Sequence, residues 1–205
     1  MKDIRIVYRG LPFKPMINGV VLNWSNLITY IITNRGTYLD FDGWKFSLDY
    51  GILYIIERRY WSYYIPPSGL EGKRVLSVGG GCGEDAKFFF DNGAKYVHVI
   101  ENNLLCEKYL EYNRNLDNRL SYEIKNFQIK DLYKHYDLIK LDIEGYEMLL
   151  IDEMNIDLIN EDIILESHCN YITDKFLEKG FKLIKDFSKN KAIHGGVVQL
   201  CRWKR

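Results

Sequence analysis

From Arg74 onward, short uninterrupted apolar runs alternate with helical segments, and this alternation restricts the possible folds more than any other feature of the chain. The runs are RVLSV (74–78), YVHVI (96–100), DLIKLDI (137–143) and DIILES (162–167), with a weaker strand at SYEIKNF (121–127). A strand that is apolar at successive positions, not at every second one, is buried on both faces, as in a parallel sheet covered by helices. Helical patterns fill the gaps: 85–92 ended by Gly93, 103–115, 146–154 with apolar Met148, Leu149 and Ile151, and 174–179 stopped by Gly180. FKLIKDF (181–187) and VVQLCRW (197–203), around Gly195-Gly196, supply two last strands expected to pair as a hairpin. The reading is an α/β, doubly wound, mostly parallel seven-stranded sheet of Rossmann-like form, with its ligand beyond the carboxyl ends of the strands.

The first seventy residues read differently, as turns, short strands and aromatic clusters. IPPSGLEG (65–72) is rich in residues that break regular structure and marks the boundary. Residues 1–70 are therefore an N-terminal extension, a candidate substrate lid, and 71–205 the ligand-binding domain. A chain of 205 residues has room for one such domain and little more.

Lysine plus arginine equals aspartate plus glutamate, 28 against 28, so the overall field does not favour long nucleic acids or anionic membranes. Arg58-Arg59 and the terminal Arg202, Lys204 and Arg205 are the local basic groups, read as solvated surface. With no apolar stretch of membrane-spanning length and no signal-peptide pattern, the expected location is cytoplasmic. Cys82, Cys106, Cys169 and Cys201 form no CxxC pair and are expected as buried or half-buried thiols.

The strongest local signal is VLSVGGGCGED (75–85), where an apolar strand runs into Gly79, Gly80, Gly81 and Gly83 and then a helix beginning near Glu84. Glycines allow a ligand close to the backbone. Spaced GxGxxG, such a turn holds a dinucleotide; spaced GxGxG, as at Gly79, Gly81 and Gly83, it holds S-adenosylmethionine (SAM). Glu101 ends the second strand in HVIENN, where a carboxylate accepts both hydroxyl hydrogens of a ribose. A GK[ST] phosphate loop is absent, which argues against nucleoside triphosphate hydrolysis.

These two motifs resemble those of the class I SAM-dependent methyltransferases. KLDIEGYE (140–147) further resembles the K-[IL]-D-[IV]-E-G-x-E signature of the FkbM-type methyltransferases, and IILESH (163–168) the family's next strand with its Glu-x-His ending. FDGWKFSLDYG (41–51) is similar to the strand-rich lead that such proteins place before the glycine motif. The resemblance spans Phe41 to the C-terminus and implies O-methylation of a hydroxyl on a small molecule or glycan, with SAM as cofactor. One position departs from it: Ser77 stands where many methyltransferases carry aspartate, and its shorter side chain is expected to support the glycine loop less well.

Asp142 and Glu144 end the fourth strand, and Glu166 and His168 the fifth, so four ionisable groups are expected to meet in one cleft. His168 is the expected general base, since an imidazole with an ordinary pKa near 6.5 is mostly neutral at pH 7. Asp142 orients cofactor or substrate, and Glu144 and Glu147 cap or position the Gly145 turn. Asp142, Glu166 and His168 are alternatively a divalent-metal set; the reading adopted assigns no metal. Asn102 is expected beside the ribose, Asn126 and Phe127 beside adenine, and Tyr60, Trp61, Tyr63 and Tyr64 as a substrate wall or as core. Three rivals are an RNA or protein methyltransferase, disfavoured by the missing [DNS]PP[YFW] element and the zero net charge; a non-catalytic SAM-fold module; and an NAD-dependent oxidoreductase, disfavoured by GxGxG spacing.

Overall fold

The computed structural model describes residues 16–17, 20–21, 38–57, 61–147, 153, 161–168, 170–186 and 198–203. Arg58, Arg59, Tyr60, Met148, Leu149, Ile151, Cys169, Gly195, Gly196, Lys204 and Arg205, and with them most of the helix expected over 146–154, lie outside the described residues.

Seven strands form the central sheet: β5 (Arg74–Val78), β6 (Tyr96–Glu101), β7 (Leu120–Ile124), β8 (Leu138–Leu141), β9 (Asp162–Ser167), β10 (Lys182–Asp186) and β11 (Val198–Arg202). Their order is β10-β11-β9-β8-β5-β6-β7, and β11 alone runs antiparallel to its neighbours. The doubly wound, mostly parallel sheet and its terminal hairpin are thus as the apolar runs indicate. The order reverses between β5 and β8, where two crossovers leave in opposite directions and open a crevice at the strand ends.

The alternating pleat separates two cores. Val75, Leu138 and Ile164 face one side of the sheet; Leu76, Val78, Ile139, Leu141, Ile163 and Leu165 face the other, beneath Ile172 and Phe176 of α4 (Asn170–Glu178). On the first side lie α2 (Glu84–Asp91), α3 (Glu107–Leu116) and residues 38–54 and 61–65 of the lead segment. That lead contains two short strands, β1 (Met16–Ile17) and β2 (Val20–Val21), and a hairpin, β3 (Tyr38–Phe41) with β4 (Trp44–Ser47), turning on Asp42-Gly43. Both turn residues have positive φ, 53° and 89°, as a two-residue hairpin requires.

Three differences from the sequence reading have physical causes. The lead contains a ten-residue helix, α1 (Leu48–Glu57), because Leu48 and Tyr54 bury themselves against the aromatic cluster; its apolar residues had no polar face to show a helical period. β7 ends at Ile124, so Asn126 and Phe127 lie in a loop beyond the sheet. The helix before Gly180 starts at Asn170, four residues earlier than expected, where Ile172 and Phe176 share its buried face.

Asn113 of α3 fastens the hairpin to the main domain. Its Oδ1 accepts the Lys45 N–H at 2.8 Å, and its Nδ2 donates to the carbonyls of Lys45 at 2.9 Å and Cys82 at 3.1 Å. Asn113 thus links the lead to Cys82, the residue in the middle of the glycine turn. No helix among the described residues is long and apolar enough to cross a membrane.

Candidate functional site

The carboxyl ends of β5, β6, β8 and β9 open into one cavity of about 720 Å³. Gly79, Glu101, Asn102, Asn126, Phe127, Asp142, Glu166 and His168 all line it, whereas Gly80, Gly81 and Gly83 sit behind its wall. The sequence-predicted residues are brought together from the ends of four strands and from the loop after β7.

At one end the glycine turn passes from β5 to α2. Gly79 has φ 73°, and its N–H donates to the Ile100 carbonyl at 2.8 Å. A side chain there would drive its Cβ into the Asp142 carbonyl group of the neighbouring strand, so a left-handed residue without a Cβ is needed. Glu101 organises the same end. Its Oε2 accepts the Gly81 N–H at 2.9 Å and its Oε1 those of Asn102 at 2.9 Å and Asn103 at 2.8 Å. A carboxylate offers about four lone-pair positions, so one remains for a ligand. Lys125, Asn126 and Phe127 continue the wall beyond β6.

The other end is ionic. Ser77, Lys140 and Glu166 all point to the face that carries α2 and the lead, as their strand positions dictate. The Lys140 ammonium, itself buried, lies 2.7 Å from Asp85 Oδ2 and 3.0 Å from Asp142 Oδ2, and donates to the Gly79 carbonyl at 3.4 Å. Burial pulls its pKa down, but the charges of Asp142, Asp85 and Glu166 outweigh this and hold it well above its ordinary value. Ser77 Oγ donates to Asp85 Oδ2 at 2.9 Å. The loop support expected to be weak at Ser77 is thus built through Asp85 and Lys140.

Glu166 accepts a hydrogen bond from the buried Tyr64 hydroxyl and one from Gln199 Nε2 at 3.0 Å, both on Oε1. Burial, and then the charge of Asp142, raises its pKa to about 7 against the opposing effect of Lys140. His168 is surrounded by carboxylates: its Nδ1 is 3.3 Å from Glu147 Oε1, and its Nε2 3.6 Å from Asp142 Oδ1 and 3.5 Å from Glu144 Oε2. Burial pushes the imidazole pKa down, yet the Glu147 hydrogen bond and the charges of Asp142, Glu147 and Glu144 overturn this and raise it to about 9. The ring expected to be neutral at pH 7 therefore carries a proton in the ligand-free protein. Its intrinsic pKa misleads because three acids are folded against it.

No protein-family model matches the sequence, and no curated protein matches it either. Solved structures do match. An O-methyltransferase family protein of Burkholderia thailandensis superposes with a TM-score of 0.52 at 8% identity, over 75% of this chain and 57% of that one. Precorrin-6y C5,15-methyltransferase of Geobacter metallireducens gives 0.50 at 14% identity, over 72% and 87%. The Escherichia coli protein yhhF, assigned as a methyltransferase, gives 0.51 at 14% identity, over 74% and 86%.

The fold is that of the class I methyltransferases.

Within this methyltransferase fold, several cavity residues escape sequence reading. Lys140 had one available signal, a lysine inside an otherwise apolar strand. Trp61 and Tyr64, expected from the sequence as a substrate wall or as core, are not among them: they serve as both, being buried and lining the cavity. Tyr50 and Leu53 of α1 also reach it, and nothing in their sequence surroundings indicates this. Cys82, Cys106 and Cys201 are buried thiols, and the first two lie 3.4 Å apart, sulfur to sulfur.

Proposed function

We propose that this protein is a SAM-dependent methyltransferase that methylates a hydroxyl group of a small molecule or glycan inside the cell. The observation that carries the reading is the single cavity joining the Gly79 turn and Glu101 to Asp142, Glu166 and His168. Its volume falls within the range of small-molecule sites. The cofactor suits the groups present: Glu101 keeps a lone pair for a ribose hydroxyl, and the Gly79 backbone lines the same cavity. In this assignment Asn102 flanks the ribose, Asn126 and Phe127 flank the adenine, and Gly79, Gly80, Gly81 and Gly83 form the methionine turn.

When bound, SAM supplies a sulfonium methyl group that leaves its electron pair on sulfur as it moves to an attacking oxygen. The protein's part is alignment and removal of the hydroxyl proton. Asp142 is held by Lys140 and orients the reacting groups. Glu166, near the end of β9, takes the proton, while His168, protonated in the ligand-free protein, donates to and orients the acceptor oxygen. Trp61 and Tyr64 belong to the 1–70 extension and close the cavity wall, which supports the extension's role in enclosing the acceptor. The KLDIEGYE and LESH elements support placement among FkbM-type enzymes, and from that comes the hydroxyl acceptor. Equal numbers of positive and negative residues fit a small acceptor better than a long polyanion.

Calorimetric titration with SAM, S-adenosylhomocysteine and NAD tests the reading. Both sulfur compounds should bind and NAD should not; binding of NAD alone would refute it. Labelled-methyl transfer across a panel of hydroxylated small molecules and glycans, against structured RNA, then separates the acceptor classes.

A further inference from the structure

Asp142, Glu144 and His168 each point one donor atom at a common position, and these atoms lie within 4.8 Å of one another. The edges through His168 Nε2 measure 3.6 Å to Asp142 Oδ1 and 3.5 Å to Glu144 Oε2. Donors about 2.1 Å from one ion stand about 3.4 Å apart in a tetrahedral shell and about 3.0 Å apart at adjacent octahedral positions. The two edges through His168 already match this spacing, and the exposed Glu144 side chain is free to move in and close the third, which is at most 4.8 Å.

Two independent observations point to a ligand. Asp142 Oδ1 is shielded from solvent and has no hydrogen-bond partner among the described residues, while its Oδ2 is held by Lys140. His168 Nε2, at 3.6 Å, is beyond hydrogen-bond reach of that oxygen, and a buried carboxylate oxygen without a hydrogen bond is costly unless a cation comes closer. His168, for its part, is oriented in the way metal-bound imidazoles are: Nδ1 is engaged by Glu147 Oε1, which also accepts the Ile143 N–H at 3.2 Å, and Nε2 is left toward the carboxylates. Asp142, Glu144 and Glu147 all crowd this ring, and the neighbouring Lys140 is already shared with Asp85.

We propose that Asp142, Glu144 and His168 form a binding site for one divalent cation at the carboxyl ends of β8 and β9. Two carboxylate oxygens and one imidazole nitrogen suit Mn²⁺, Mg²⁺ or Zn²⁺ and not a thiolate-seeking ion. Three protein ligands leave coordination positions facing the cavity, open to water or to the acceptor's hydroxyl oxygen. Glu144 closes the shell from the solvent side, with its side chain 78% exposed. With Nε2 committed to the ion, Glu166 is the proton acceptor that remains on β9. The ion's part in methyl transfer rests on the function proposed above; its binding does not.

The test is Mn²⁺ titration of the metal-stripped full-length protein, without cofactor, followed by electron paramagnetic resonance. One Mn²⁺ should bind per chain and show nitrogen modulation from a coordinated imidazole. Asp142→Asn and His168→Ala should each weaken binding about tenfold or more, and His168→Ala should abolish the modulation. Glu144→Gln, at an exposed side chain, keeps the fold and should also weaken binding. No Mn²⁺ bound at millimolar concentration, or binding without nitrogen modulation and indifferent to Glu144→Gln, would overturn the site. Titration of the same metal-free protein with SAM distinguishes the failures: SAM binding without Mn²⁺ binding removes the ion alone, and the converse removes the methyltransferase reading alone.

Discussion

Gly79 and Gly72 form a matched pair for testing how the glycine turn is built, since their φ angles are 73° and 72°. An alanine at Gly72 meets nothing within 4 Å, so only the left-handed conformation opposes it. That costs about 1 to 2 kcal/mol, partly offset by the lower entropy of the unfolded chain, for a net loss of about 1 kcal/mol. At Gly79 the same conformational cost applies, but the new Cβ also meets the Asp142 carbonyl oxygen and, at 2.8 Å, its carbon, in the backbone just past the end of β8. No rotamer relieves a backbone clash, so β5 and β8 must part near the Asp142 N–H to Val78 carbonyl bond of 3.0 Å. Overpacking of this kind adds about 2 kcal/mol or more. Gly79→Ala should therefore lie about 2 kcal/mol below Gly72→Ala in urea unfolding, roughly a 30-fold difference in the folded-to-unfolded ratio. For a chain of this size the melting temperatures should fall by roughly 3 °C for Gly72→Ala and 10 °C for Gly79→Ala. SAM affinity should drop only in the second. Equal losses of stability would refute the close approach of Gly79 to β8.

Glu101→Ala removes the acceptor of three N–H groups and should weaken SAM binding by about 30-fold or more, about 2 kcal/mol, in calorimetry; unchanged affinity would detach Glu101 from the cofactor. Ser77→Asp, which restores the residue many methyltransferases carry, should destabilise by about 3 kcal/mol and lower the melting temperature by roughly 6 to 12 °C, because it sets a second buried carboxylate against Asp85. A higher melting temperature would show that the serine is the weaker support. His168, with a folded pKa raised to about 9 over an unfolded value of about 6.5, stabilises the metal-free protein fully below pH 6.5 and loses that contribution as pH rises through 9. The stability difference between wild type and His168→Asn should thus shrink on going from pH 7 to 10, by about 3 kcal/mol at most; a difference independent of pH would mean that the imidazole is neutral.

The central strands β5, β6, β8 and β9 were legible because burial on both faces of a parallel sheet leaves an uninterrupted apolar run, which is a local property of the chain. Gly79 and Glu101 were legible for a related reason: a residue directly following such a run must emerge at the carboxyl edge, so its place in the fold follows from its place in the sequence. The same logic brought Asp142, Glu166 and His168 to one cavity. The helix α1 was not legible, because its apolar residues answer to an aromatic cluster contributed by distant segments.

What the amino-acid sequence determined by itself is therefore the sheet, the turn that leaves β5, and the identity of the groups at the strand ends. Only the tertiary structure decided what those groups are to one another. Lys140 is locked between Asp85 and Asp142, Tyr64 reaches Glu166 across 102 residues, and His168 is ringed by Asp142, Glu144 and Glu147. The physical reason is that strand formation follows from periodicity over neighbouring residues, whereas ionisation and hydrogen bonding depend on distances of a few ångströms that the folded chain alone establishes.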